Sequence, residues 1–412
     1  MTFLGGLLMK TTVIIGGGAS GMMAAMTAAR ESDNHILLLE RQARVGRKLL
    51  SSGNGRCNLS NLYADRTSYH GADTDFVLPA LKRFGVGETL DFFRGLGLIT
   101  VTEPDGRVYP LSNHANSVVD VLRFGLQRDN IELHTENGAV YSRRNGSRFL
   151  VGTTEGGHIH ADYVIVACGG AAAPKLGGVM DGYRLLEEMG HSRTKLNPSL
   201  VQVKTDPTYP RALKGVKADA VVAVFAGPSI LAAKRGEVLF TEYGVSGPAV
   251  FDISRAISTG GDGLSVHLDL LADLTEDEVM TFLVRRREIA PHLPANQMLT
   301  GALHNRLGQM VCKYGRITSS QRIGQLSNDE LRAVAGAAKE FVLEVEGVAG
   351  FDSAQVTAGG INTDEFNPDT LESRLIPGLF ACGEVLDIDG DCGGFNLQWA
   401  WSSGHLAGRL GK

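Results

Sequence analysis

Thr11-Thr-Val-Ile-Ile-Gly16-Gly-Gly18-Ala19-Ser20-Gly21 is the stretch on which the fold turns. Five β-branched residues read as a short buried strand. The strand runs at once into a Gly-x-Gly-x-x-Gly turn. Residues 22–30 are rich in Ala and Met and continue as a helix. His35-Ile-Leu-Leu-Leu39 is a second apolar strand, and it ends at Glu40. Together these make one βαβ unit with an acid nineteen positions beyond Gly21 (40 − 21). Each part has a physical task. Gly16 permits the tight turn, Gly18 lets a pyrophosphate approach the backbone, and Gly21 lets helix and strand pack closely. The helix start, with Ala19 and Ser20, offers unpaired N–H groups and a positive dipole to the anion. Glu40 accepts hydrogen bonds from ribose hydroxyls and disfavours a 2′-phosphate, so FAD or NAD is expected rather than NADP.

The chain has 412 residues, enough for two or three domains. Hydrophobic residues make up 43% and charged residues 21%, which excludes wholesale disorder. Lys and Arg number 40 against 45 Asp and Glu, a formal charge of −5. No net basic field gathers phosphates, so no nucleic-acid partner is expected. Glycine is in excess, 52 against 13 prolines, as expected where backbone closes around a cofactor. The cysteines are Cys57, Cys168, Cys312, Cys382 and Cys392. An odd count with no Cys-x-x-Cys pair fits a reduced, cytoplasmic protein without structural zinc. The opening Met1-Thr-Phe-Leu-Gly-Gly-Leu-Leu-Met-Lys10 lacks a basic start and does not read as a signal peptide. No apolar run reaches the length of a membrane span, so no membrane is expected. No motif sets an oligomeric state.

A second set of motifs lies far downstream. Residues 162–167 form another buried strand ending in Cys168-Gly169-Gly170. Near the end, residues 375–382 read as turn and strand before Gly383-Glu384. Gly393-Gly-Phe-Asn396-Leu397-Gln398 then opens a last apolar helix over about 397–410. This pattern resembles flavoproteins of the glutathione-reductase type, where such a strand returns beneath the cofactor and an acid meets the ribityl chain. That resemblance selects FAD over NAD as the tightly held cofactor. The helix start would then face the flavin's pyrimidine edge and stabilise negative charge there. No second Gly-x-Gly-x-x-Gly follows, so NADH or NADPH would act as a diffusible donor. Asp387-Ile-Asp389-Gly-Asp391 imitates a calcium loop, but Cys392 and Gln398 stand where Gly and Glu are required, so no metal is expected.

Further motifs are Gly46-Arg47-Lys48, Ser52-Gly53-Asn-Gly-Arg56-Cys57-Asn58-Leu-Ser-Asn61, Gly106-Arg-Val-Tyr109-Pro, Asp181-Gly-Tyr183, residues 240–249 and Thr357-Ala-Gly-Gly360. With the nucleotide fingerprint and the Gly383–Asn396 segment, they resemble the bacterial FAD-dependent oxidoreductases of the BaiN and aminoacetone-oxidase type. The resemblance implies an α/β fold: a Rossmann-like FAD-binding domain with an inserted β-rich domain and a small helical domain. Its bounds would be 1–195 with 355–412, 196–274 with 342–354, and 275–341. Strands are expected over 201–203, 220–225, 237–241 and 264–268. Helices are expected over 275–287, 296–314 and 328–341, with Thr275 and Asn328 as N-caps. By motif, Glu40, Arg47, Lys48, Gly53, Asn58, Gly169, Gly383, Glu384, Asn396 and Leu397 fall beside the cofactor. The backbone of Val140 would hold the adenine. Glu242 stands where some relatives carry His.

In this chemistry the flavin N5 delivers hydride to a small-molecule substrate. Arg56, Tyr109 and Tyr243 are candidate donors to a substrate carbonyl, and Cys57 a candidate redox thiol. The family resemblance leaves two activities: NAD(P)H-fed reduction of a conjugated enone such as an oxidised bile-acid intermediate, or O2-dependent oxidation of a small amine or amino ketone. A flavin-dependent RNA-modifying or redox-binding protein is a third reading, and the acidic balance opposes it. Arg285-Arg-Arg287, the one dense basic cluster, reads as a solvated helix face.

Overall fold

The computed structural model describes residues 9–412; most of the opening Met1–Lys10 stretch, read above for a signal, lies outside them. The described residues fold into two compact units, 9–197 with 356–412 and 198–355.

In the first unit, β1 (Thr11–Ile15) leads into α1 (Ala19–Glu31) and β2 (His35–Leu39). α1 begins three residues earlier than its Ala/Met-rich stretch suggests, inside the glycine turn. A small antiparallel sheet follows, from β3 (Ser60–Asn61), β4 (Thr100–Thr102) and β5 (Arg107–Pro110), in the order β3-β5-β4. After β6 (Ile131–His134), β7 (Ala139–Asn145), β8 (Arg148–Thr153) and β9 (His158–Ala161) make a second antiparallel sheet. β10 (Tyr163–Val166) returns to the centre, and after the second unit the chain adds β11 (Leu379–Ala381) and α2 (Phe395–Gly408). The central sheet is parallel throughout, ordered β11-β10-β1-β2-β6. Val13, Ile14, Leu38, Val164, Ile165 and Phe380 are all 0% exposed. Continuous apolar runs are what a sheet covered on both faces demands.

α2 explains how the chain's last helix reaches its first. It is buried from Gln398 to Gly408 on every side, as a central helix is. A Cβ on Gly404 would stand 2.4 Å from Ser20 O, and one on Gly408 2.6 Å from Ala24 O. Only glycine at both positions lets α2 lie on the α1 backbone. Trp401 Nε1–H donates to Leu59 O at 2.9 Å and Trp399 Nε1–H to Gly383 O at 3.1 Å, so both indoles are satisfied inside the core.

The second unit is a closed six-stranded barrel with a helical cap on the same hydrophobic core. The strands expected at 220–225, 237–241 and 264–268 lie within Lys217–Ala226, Ser229–Thr241 and Leu264–Asp269. Other expectations are corrected. Val201 is not in a strand; pairing begins at Val203. Residues 296–314 are not one helix. A 3-10 turn at Ala295–Gln297 precedes a break at Gly301, whose φ is +96°, and the helix is Asn305–Tyr314. The last helix is Asn328–Lys339, because Phe341 opens the barrel strand Phe341–Val348. Its N-cap is Ser327, not Asn328: Glu330 N–H donates to Ser327 Oγ and Ser327 N–H to the Glu330 carboxylate. Thr275 does cap its helix. In the basic run, Arg287 is spent on Leu326 O and Asn328 Oδ1. Among the described residues no helix is long and apolar enough to cross a membrane.

Candidate functional site

The nucleotide fingerprint is built as its spacing predicts. Gly16 adopts φ +110°, and a Cβ there would stand 2.5 Å from Ala167 O. A Cβ on Gly21 would stand 1.8 Å from Gly16 O. Gly18 differs from both: a Cβ there would meet nothing within 4 Å. Two glycines are thus required by the protein's own packing, and the third opens onto free space at the start of α1. No acidic side chain occupies the first turn of α1, so its positive end is not neutralised. Glu40 is held beside it: Gly17 N–H donates to Oε2 at 2.8 Å and Gln42 N–H to Oε1 at 2.7 Å.

The C-terminal motifs arrive at the same place. A Cβ on Gly383, where φ is +76°, would stand 2.5 Å from Ser20 Oγ. Glu384 Oε1 accepts from Thr357 N–H at 2.8 Å, and Oε2 pairs with Lys48 Nζ at 2.7 Å. A Cβ on Gly170 would stand 2.7 Å from Glu384 Oε1, and one on Gly169 4.0 Å from Oε2. Ser20, Lys48, Gly169, Gly383 and Glu384 are therefore one cluster assembled from three distant parts of the chain. Arg47 is exposed and bonded to Gln42 Oε1 at 2.7 Å, the residue whose N–H donates to Glu40. Val140 sits at a bulge where the β7–β8 register skips from Ala139 to Tyr141. Its backbone is outside that ladder, which frees it for another partner.

The loop at 53–58 is the most contorted segment. Gly53, Asn54, Gly55 and Cys57 all have positive φ, of 55°, 57°, 81° and 61°. Left-handed Asn and Cys cost energy and concentrate at functional sites. Asn58 is 9% exposed, and its Oδ1 is buried without a hydrogen-bond partner. That oxygen lies 2.9 Å from where a Cβ on Gly394 would stand, and Gly394 is the N-cap of α2. Leu397 is half-buried in the first turn of α2, and Asn396 closes the preceding loop by bonding Gly390 N–H and O at 2.8 and 2.7 Å. A dinucleotide with a flavin end fits these residues. The open Gly18, the fixed Glu40, the free Val140 backbone and the orphaned Asn58 oxygen match its parts.

Of the expected catalytic residues, two come together. The Arg56 guanidinium lies 3.9 Å over the Tyr109 ring. It pairs with Glu103 Oε1 at 2.7 Å and bonds Asn113 Oδ1. Tyr109 is 5% exposed, and burial raises its phenol above the usual range, so it stays protonated. Its hydroxyl has no hydrogen-bond partner among the described residues. Cys57 is corrected as a redox thiol: it is 0% exposed and burial pushes it up to about 11. A thiol so protonated is not a nucleophile at neutral pH. Cys382 is likewise core, pushed up to about 12, while Cys392 is half-buried in the loop before α2. Tyr243 belongs to the second unit, in the turn before Gly244–Ser246, and is 64% exposed. Its neighbour Glu242 pairs with Lys214 at 2.9 Å. In the acidic turn, Asp387 and Asp389 are buried, and Asp391 pairs with His70 Nε2 at 2.7 Å. Sequence reasoning missed the Arg56 partners. A faint signal existed for Glu103, which faces Arg107 across the tight Glu103–Arg107 turn.

A family model described as "HI0933-like protein Rossmann domain" matches residues 10–410. Among curated proteins, a "3-dehydro-bile acid delta(4,6)-reductase" of Clostridium scindens is 40% identical over 382 residues, 92% of this chain and 93% of its own. A "ribosomal RNA dihydrouridine synthase" of Escherichia coli is 30% identical over 378 residues, 90% and 91%. Among solved structures, the open conformation of a flavocytochrome c3 fumarate reductase matches with 17% identity and a TM-score of 0.46, over 99% of this chain and 78% of that one.

Proposed function

Because this chain belongs to the HI0933-like Rossmann family, we propose that it is an FAD-dependent oxidoreductase that uses NADH or NADPH to saturate a carbon–carbon double bond conjugated to a carbonyl. The preferred substrate is an enone of the oxidised bile-acid kind, the class named for the 40% identical relative. The geometric observation that carries the reading is the meeting of Ser20, Lys48, Gly383 and Glu384, which gives the fingerprint a second half that NAD alone does not need.

FAD, when bound, supplies hydride at N5. The chain's own residues do the rest. Gly18 and the start of α1 would hold the pyrophosphate, Glu40 the ribose, and the Val140 backbone the adenine. Asn58, whose buried Oδ1 has no partner, would hold the flavin end. Glu384, fixed by Lys48 and Thr357 N–H, would hold the ribityl chain. Saturating a conjugated double bond adds hydride at the β-carbon and a proton at the α-carbon. Tyr109, kept neutral by burial and carrying an uncommitted hydroxyl, donates a hydrogen bond to the substrate's carbonyl oxygen, and the α-carbon proton comes from solvent. Arg56 is a positioning residue: with Glu103 and Asn113 it clamps the face of that phenol ring.

Uridine in RNA is a second reading, favoured by the 30% identical relative. Its ring also holds a double bond conjugated to a carbonyl, so the same residues would serve. The net charge of −5 opposes it. The test is anaerobic. NADH or NADPH should bleach the yellow holoprotein, and a steroid 4-en-3-one should restore the colour. Reoxidation by a uridine-containing rRNA transcript and not by the steroid would overturn the preferred substrate. Protein that binds no FAD would overturn the whole reading.

A further inference from the structure

One face of the small sheet β3-β5-β4 leads from the start of α2 to solvent. Opposed residues of an antiparallel pair, and alternate residues along a strand, share a face. Asn61 lies opposite Arg107, and Val101 opposite Tyr109. The pairing runs one step further, because Leu111 N–H donates to Ile99 O at 2.8 Å. All six therefore stand on one face. At one end Asn61 Nδ2–H donates to Gly393 O at 2.9 Å, one residue before the α2 N-cap. At the other end Ile99, Val101 and Leu111 are 66%, 41% and 59% exposed. Tyr109 lies between. On the opposite face Ser60 and Val108 are 0% exposed.

Exposed aliphatic side chains along a sheet edge, Ile99 preceding and Val101 on the edge strand and Leu111 following the central one, are a liability that proteins normally blunt with charge. Here they are left bare beside the candidate carbonyl donor. The two guanidinium groups on this face are already neutralised, Arg56 by Glu103 at 2.7 Å and Arg107 by Asp105 at 3.2 Å. Among the described residues of this face, no cation outside an ion pair is left to hold a phosphate. The surface complements an uncharged hydrocarbon, not a polyanion.

We infer that Ile99, Val101 and Leu111 seat the hydrocarbon body of a polycyclic enone whose conjugated carbonyl end lies at Tyr109. The inference rests on the enone-reductase reading above and assigns substrate selection to these three residues. They are specificity-determining and touch no reacting atom.

The experiment compares holoenzyme with its Val101→Asp, Leu111→Asp and near-isosteric Val101→Thr variants. Two enones share one reacting group: testosterone, with the fused rings, and 2-cyclohexen-1-one, without them. Each Asp variant should raise KM for testosterone about tenfold or more, and Val101→Thr less. For cyclohexenone kcat/KM should stay within about twofold. Isothermal titration with a saturated 3-oxo steroid, which cannot react, should show the same weakening. Equal effects on both enones, or none, overturn the seat and leave the reductase standing. An altered sedimentation mass with unchanged testosterone KM overturns it in favour of a contact between copies. Failure of wild-type enzyme to turn over either enone, with RNA reduced instead, removes the function reading and the seat with it.

Discussion

At the scale of single residues, the proposed function divides the site into groups that hold the cofactor and groups that act on the substrate. Tyr109 is the one expected donor that the fold buries, keeps protonated and leaves uncommitted. Tyr109→Phe should lower kcat/KM for enone by about 10²–10³, the usual share of one hydrogen-bond donor to a developing oxyanion. Stopped-flow should show flavin reduction by NADH unchanged in rate; an equal fall in both half-reactions would make the residue structural. Gly18 and Glu40 were read from spacing and Glu384 from the resemblance to glutathione-reductase-type flavoproteins; the structure leaves Gly18 open, fixes Glu40 beside the start of α1, and brings Glu384 to Lys48. Cys57 was misread, because burial is a tertiary property and its thiol is pushed up to about 11 by desolvation. The Lys48–Glu384 pair spans 336 positions and leaves no local trace.

At the scale of elements, α2 bears the most. His405 on this helix is 6% exposed, stacked on Phe84 at 4.3 Å. Burial, then the nearby Arg30 and Arg409, lowers it from 6.5 to about 4, with Glu31 opposing weakly. In the unfolded chain it binds a proton near pH 6.5, in the folded one near 4. Its contribution is therefore present above pH 6.5 and lost as pH falls to about 4. The loss is about 3 kcal/mol at most. His405→Phe, which keeps the stack, should flatten the fall in urea-unfolding free energy between pH 6.5 and 4. An unchanged slope would remove His405 as its source and leave the acid sensitivity to other groups that the fold lowers, such as His191 and Glu365. Strands and helices with strong periodicity were legible along the chain. Residues 296–314 were not, because a helical composition carries Gly301 at φ +96°, and a positive φ is a property of the turn, not of the pattern. The length of α2 was legible, but its start was set two residues early by the left-handed Gly394.

At the scale of the whole molecule, the first compact unit is discontinuous in sequence, the second being a continuous insert within it, and the candidate cofactor site lies within the first. Hydrogen exchange tests this directly. Added FAD should slow exchange together in peptides 11–21 and 383–397; protection of the first alone would mean that the C-terminal motifs do not engage. The close seat of Gly404 on Ser20 has a temporal meaning as well. On a ribosome the fingerprint emerges some 360 residues ahead of Gly383 (383 − 21). At about 5–20 residues per second, that is a wait of roughly 20–70 s. Throughout it the α1 face that receives α2 is bare, and the nucleotide half-site has no partner. Colour is thus acquired only after translation is nearly done, and a message cut short before codon 383 would yield a pale, sticky chain for proteases to clear.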